Sequence, residues 1–81
     1  MPILPQDLQA IREQLLANST EFQRLTQEHS RYEAQLEQLS KHTYLSLEDI
    51  QLQAMLKKLK LRVKDEMEHM VAQQRRELAP H

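Results

Sequence analysis

The sequence of 81 residues contains no cysteine and no glycine, and it has only three prolines. Without cysteine, neither a disulfide framework nor a thiolate zinc site can form. The four histidines lie at positions 29, 42, 69 and 81. No two of them are four residues apart, which is the spacing that brings two metal ligands together on a helix. We therefore predict no metal site and no cofactor.

Long apolar runs and a strong net charge are also missing. The formal net charge is −1, and no segment is apolar enough to cross a membrane. The absence of glycine removes the phosphate loop and the nucleophile elbow, so we predict that the protein is not an enzyme and has no small-molecule substrate. The first residues, MPILPQD, resemble no signal peptide. We expect a cytoplasmic protein without a membrane partner.

The residues that are abundant (Gln, Glu, Leu, Lys and Arg) are typical of long helices. From Leu8 onward, one set of positions recurs at alternating steps of three and four, as in a heptad repeat. We call this set the first seam, and its only polar members are Asn18 and His29, which we expect to set the helix register rather than to catalyse. The seam comprises Leu8, Ile11, Leu15, Asn18, Phe22, Leu25, His29, Tyr32, Leu36 and Leu39.

A local signal interrupts this seam. The segment NSTE, residues 18–21, has the form of a capping box with Asn18 as the N-cap residue and Glu21 reaching back. We therefore predict a kink or break at 18–20, with a helical arm over about 5–17 before it and a helix over about 20–40 after it. Pro5 and Asp7 suit the first turn of the arm.

A turn over about 41–46 and a second long helix over about 47–77 complete the chain. Ser46 to Asp49 form a second capping box, and Pro80 is expected to end the helix. The apolar residues on one side of this helix are Leu52, Leu56, Leu59, Val63, Met67 and Met70.

Because a short turn joins two long helices, the sequence predicts an all-α, coiled-coil-like antiparallel helical hairpin forming a single domain over residues 1–81. In this arrangement acidic residues of the first helix can pair with basic residues of the second, which favours the antiparallel orientation. The expected neighbours are Leu36 with Leu52, Leu25 with Val63, Glu28 with Arg62, and Glu33 with Lys60.

Ile50, Ala54 and Leu61 form a narrower apolar line on the far side of the second helix. The hairpin itself offers this line no partner, and a two-helix unit has a thin core. We therefore predict association with a second copy or with another helical protein. The simpler interpretation, scattered apolar surface residues, is less favoured.

The segment KKLKLRVK contains five basic residues, Lys57, Lys58, Lys60, Arg62 and Lys64. We expect them to form a solvated helix face that also selects helix orientation. The alternative is a weak nucleic-acid or ribonucleoprotein binder in which these side chains contact phosphate. Stacking aromatics and a recognisable nucleic-acid module are missing, so we place this alternative second.

Two segments resemble the YdcH-like family of small bacterial proteins. LKKLKLRVKDEM, residues 56–67, is similar to the basic and then acidic signature of that family, and Phe22, Leu25 and His29 match its Phe-x-x-Leu-x-x-x-His segment. The resemblance covers about residues 18–71. Family members often have Asn-Pro before the Phe, where this chain has Asn18 to Glu21. The resemblance implies a small cytosolic helical hairpin, a domain of unknown function.

Overall fold

The structure is a computed structural model that describes residues 8–78, and this part of the chain contains three α-helices and no strand. They are α1 (Leu8–Asn18), α2 (Thr20–Ser40) and α3 (Leu47–Leu78). The molecule is a rod with dimensions of 54 × 20 × 19 Å. The all-helical prediction is confirmed, whereas the expected effects of Pro5, Asp7 and Pro80 lie outside the described residues.

A single non-helical residue, Ser19, separates α1 from α2. Its backbone is extended, with φ −114° and ψ 113°, and its hydroxyl accepts a 3.1 Å hydrogen bond from the amide of Phe22. Ser19 is therefore the N-cap of α2, and the prediction that Asn18 is the cap is wrong. Asn18 still belongs to the last turn of α1, so it lacks the extended backbone that a capping residue needs.

Three side chains from the three helices form the buried cluster: Ile11 of α1, Phe22 of α2 and Val71 of α3, with exposures of 0%, 1% and 4%. In a straight helix, Ile11 and Phe22 would lie about 16 Å apart along the axis, since each residue adds about 1.5 Å. Their presence in one cluster shows that α1 turns back onto α2 and α3. Leu15, Met67, Met70 and Leu78 pack around the cluster.

The start of α3 is fixed by the second predicted capping box, which is confirmed. The Ser46 hydroxyl accepts a hydrogen bond from the Asp49 amide at 3.1 Å, and the Ser46 amide donates to the Asp49 carboxylate at 3.2 Å. Two backbone amides that the helix leaves without partners are thereby satisfied by residues three apart.

Contacts between α2 and α3 run in opposite order along the two helices. Lys60 Nζ lies 3.4 Å from Glu33 Oε1. Eleven residues earlier on α2 is Phe22, and eleven residues later on α3 is Val71, which shares its cluster. These pairs place the chain reversal near Ser46, whereas the sequence suggested the middle of segment 41–46.

Because the chain reverses later than the sequence suggested, the residues of α2 near the turn have different neighbours on α3. Leu36 lies beside Gln53 and Lys57 in one surface depression. Leu52, the neighbour expected for Leu36, is 40% exposed. The expected pairing of Leu36 with Leu52 is therefore wrong, because the chain reverses later than the sequence suggested.

Candidate interaction surface

The far side of α3 carries a line of exposed apolar side chains. Ile50 is 49% exposed, Leu61 is 59% exposed, and Ala54 is also exposed. Leu47, which the sequence interpretation did not include, extends this line and is 72% exposed. We call Leu47, Ile50, Ala54 and Leu61 the outer stripe. Its spacing of three, four and seven residues places all four side chains on one helix face.

The buried residues of α3 lie on the opposite face. At about 100° of rotation per residue, Leu56 and Val63 lie roughly 160–180° around the helix from Ala54. Both are buried, at 3% and 6% exposure. The outer stripe is therefore a second apolar surface, separate from the surface that packs against α2.

The exposed apolar side chains are concentrated in the half of the rod that contains the turn. Within residues 8–78, six of the eight large exposed hydrophobic residues fall in the range from Tyr44 to Leu61. At the other end of the rod, α1 covers the cluster that includes Phe22 and Val71. Within the described residues the turn half has no third helix, so the outer stripe lies where only α2 and α3 pack together.

The five basic residues of the sequence lie on both sides of the outer stripe. Lys57, Lys60 and Lys64 line one surface depression together with Leu61. Lys58 and Arg62 are exposed and, at about 100° per residue, point away from that depression. The structure therefore divides the predicted phosphate contacts into a group of three and a group of two.

Of the two ion pairs expected between α2 and α3, the structure contains one. Glu33 and Lys60 form an ion pair at 3.4 Å, with side chains that are 51% and 35% exposed. Glu28 and Arg62 form no ion pair within residues 8–78. Arg62 follows Lys60 by two residues, about 200° around the helix, and so faces away from α2.

We expect Lys60→Glu to lower the free energy of unfolding by about 0.5–1 kcal/mol, because it removes a partly exposed attraction and adds repulsion with Glu33. Glu33→Lys in the same chain should restore part of this loss. Arg62→Glu is the matched control and should change stability by less. Urea denaturation measures all four proteins, and equal losses in both single variants would contradict this pairing.

His29 lies on α2 where α1 and α3 meet. Its side chain is 22% exposed, and its Nε2 atom lies 3.8 Å from Glu33 Oε1, one turn later. Arg12 of α1 and Lys64 of α3 line the same depression. His29 is thus a polar residue at the edge of the packed surface. Asn18, the other polar member of the first seam, is exposed at the end of α1.

We expect His29→Asn to change the free energy of unfolding by no more than about 1 kcal/mol, because the position is partly hydrated and needs only a polar group. His29→Leu should be neutral or stabilising, since it adds apolar contact beside Met67. Thermal unfolding measures both variants. A loss of several kcal/mol in His29→Asn would show that the imidazole has a more specific role.

Residues 8–78 contain neither a metal-binding cluster nor a membrane-spanning helix. No three histidine, aspartate or glutamate side chains there are grouped so that they could hold a metal ion. None of the three helices combines the length and hydropathy needed to cross a bilayer.

Comparison with known proteins gives one match. A family model described as a protein of unknown function, DUF465, matches residues 22–71, which span most of α2, the turn and the first three quarters of α3. No curated protein and no solved structure matches the chain. The YdcH-like resemblance is confirmed, because the small YdcH-like bacterial proteins belong to this family. The chain is thus a member of the DUF465 family, a domain of unknown function.

Proposed function

We propose that this protein is a non-catalytic interaction module: an antiparallel helical hairpin with a short N-terminal helical arm, forming one cytoplasmic domain. It acts through helix–helix association with itself or with a helical partner protein. The observation that carries the proposal is the outer stripe, a line of apolar side chains on a helix face that the rest of residues 8–78 leaves uncovered. Contiguous exposed apolar surface of this kind is typical of interaction sites.

The size of the protein supports the same proposal. A chain this short buries a small fraction of its surface, and such domains often obtain further stability by association. Among the described residues, Phe22 and Ile11 are the only large side chains that are fully buried. Both are at the end covered by α1, so burial of the outer stripe would stabilise the end that has least core.

The experiment that tests the proposal adds charge to the outer stripe. Ile50→Lys with Leu61→Lys should abolish association, because two ammonium groups would be buried in an apolar interface. The matched control, Met55→Lys with Gln73→Lys, adds the same charge to exposed positions on another face of α3. Sedimentation equilibrium gives the mass of each protein, alone and with any helical protein that co-purifies. Equal association by both variants would overturn the proposal.

The alternative function is weak binding to nucleic acid or ribonucleoprotein through the basic stretch. Its supporting observation is the convergence of Lys57, Lys60 and Lys64 on one depression. Lys60 is already paired with Glu33, and the formal net charge is −1, so the attraction to phosphate is weak. We therefore keep this function second.

We expect the reversal of Lys57, Lys58 and Lys64 to glutamate to leave folding nearly unchanged, because exposed charges contribute little individually. Any affinity of the unmodified protein for labelled RNA or duplex DNA should be weak and should fall steeply with added salt. Fluorescence titration near physiological salt measures it. Submicromolar binding that disappears in the triple variant would establish the alternative function instead.

A further inference from the structure

We infer that the partner of the outer stripe is a second copy of this chain, with the two α3 helices antiparallel and a two-fold axis beside Ala54. This inference rests on the proposed function of the preceding section, and it names the partner and the geometry. It is carried by two features of α3: the spacing of its exposed apolar residues and the order of its charges.

The two leucines of the outer stripe lie symmetrically about Ala54. Leu47 precedes Ala54 by seven residues and Leu61 follows it by seven, so each leucine is two helical turns away. An antiparallel pair with its axis at Ala54 sets Leu47 against Leu61 of the second copy, and this contact occurs twice. A two-fold interface requires such a self-complementary patch. The small side chain of Ala54 lets the two backbones approach closely where they cross.

The charges of α3 are complementary to themselves when reversed. Its first turn carries Glu48, and Lys58 follows about three turns later on the same side of the outer stripe. Antiparallel pairing places Glu48 of one copy near Lys58 of the other, at both ends of the contact. Parallel pairing would set like charges side by side. Flanking charges of this kind select partner and orientation.

The other contact in this geometry places Ile50 beside Lys58 of the second copy. A lysine can lay its methylene groups along an apolar side chain while its ammonium group stays in water. Lys58 therefore covers Ile50 without burying a charge. With Leu47, Ala54 and Leu61, this accounts for every member of the outer stripe.

The test uses single cysteines, which is direct because the natural chain has none. Ala54→Cys should form a disulfide-linked dimer rapidly under mild oxidation, since a disulfide needs Cα atoms roughly 4.4–6.8 Å apart. Leu47→Cys and Leu61→Cys should each cross-link poorly alone, but an equal mixture should give the mixed dimer. Met55→Cys, on another face, and each variant in denaturant give the background from random collision.

The opposite pattern would overturn the inference. In a parallel pair, Leu47→Cys and Leu61→Cys would each link to their own kind, and the mixture would give no preferred mixed dimer. Either that pattern or background linkage at Ala54→Cys would show that the antiparallel geometry is wrong. The proposed function would still stand if Ile50→Lys with Leu61→Lys prevented association. If Ile50→Lys with Leu61→Lys also associated normally, the antiparallel geometry and the proposed function would both be wrong.

Discussion

Phe22→Ala is expected to lower the free energy of unfolding by about 3–5 kcal/mol, which is comparable with the whole stability of a domain this small. Phe22 is 1% exposed and belongs to the buried cluster that joins all three helices. Truncation removes the burial of an aromatic ring and leaves a cavity that Ile11 and Val71 cannot fill without moving α1 or α3. We therefore expect a largely unfolded protein at room temperature.

The matched control for this substitution is Tyr44→Ala, which removes an aromatic ring that is 89% exposed. It should change the free energy of unfolding by less than about 0.5 kcal/mol. Circular dichroism during urea denaturation measures both variants, at one protein concentration because association would shift the midpoint. Comparable losses in the two variants would contradict the location of the core.

Ile11→Asp is expected to release α1 from the other two helices. The Ile11 side chain is 0% exposed, and a carboxylate at that position would have to be buried without a partner, at a cost of about 3 kcal/mol or more. Detachment of α1 avoids that cost but uncovers Phe22 and Val71. We therefore expect rapid amide exchange throughout α1 together with a lower stability of α2 and α3.

Leu16→Asp provides the control, since it introduces the same group into the same helix at a residue that is 41% exposed. Hydrogen exchange followed by mass spectrometry should show protected α1 amides in Leu16→Asp and unprotected ones in Ile11→Asp. Protection of α1 in both variants would mean that packing of Ile11 in the cluster with Phe22 and Val71 does not hold α1 in place.

Local hydrogen bonding made the start of α3 predictable from the sequence. The two hydrogen bonds between Ser46 and Asp49 involve only residues three apart, so no distant contact decides them. The cap of α2 is less certain from sequence, because NSTE offers Asn18 and Ser19 side by side. The side chain of Gln23 donates a 2.6 Å hydrogen bond to the Leu16 carbonyl across the break, and the sequence gives no sign of this contact.

The direction of α1 could not be predicted from periodicity. The three-and-four spacing runs through Leu15, Asn18 and Phe22 without a slip, and that pattern fits a straight helix equally well. The structure instead places Ile11 and Phe22 in one buried cluster with Val71, so residues on three different helices pack together. Hydrophobic spacing identifies the apolar face of each helix, but the packing of one helix on another determines the turn between them.

The outer stripe shows the same division between local pattern and long-range arrangement. The sequence predicted that Ile50, Ala54 and Leu61 would share a face, because their spacing is a local property of one helix. It missed Leu47, although this residue lies three positions before Ile50 and so belongs to the same pattern. The proposed occupant of the stripe belongs to another molecule, so local pattern cannot identify it, and we infer it from symmetry and charge.

Sedimentation velocity of the unmodified protein over a range of micromolar concentrations tests the central claim most directly. One chain has a mass of 9.7 kDa. Association of two copies through the outer stripe predicts a mass that rises with concentration towards twice that value. The rise should be absent in Ile50→Lys with Leu61→Lys and unchanged in Met55→Lys with Gln73→Lys. A stable monomer at every concentration, for all three proteins, would contradict association between copies of this chain.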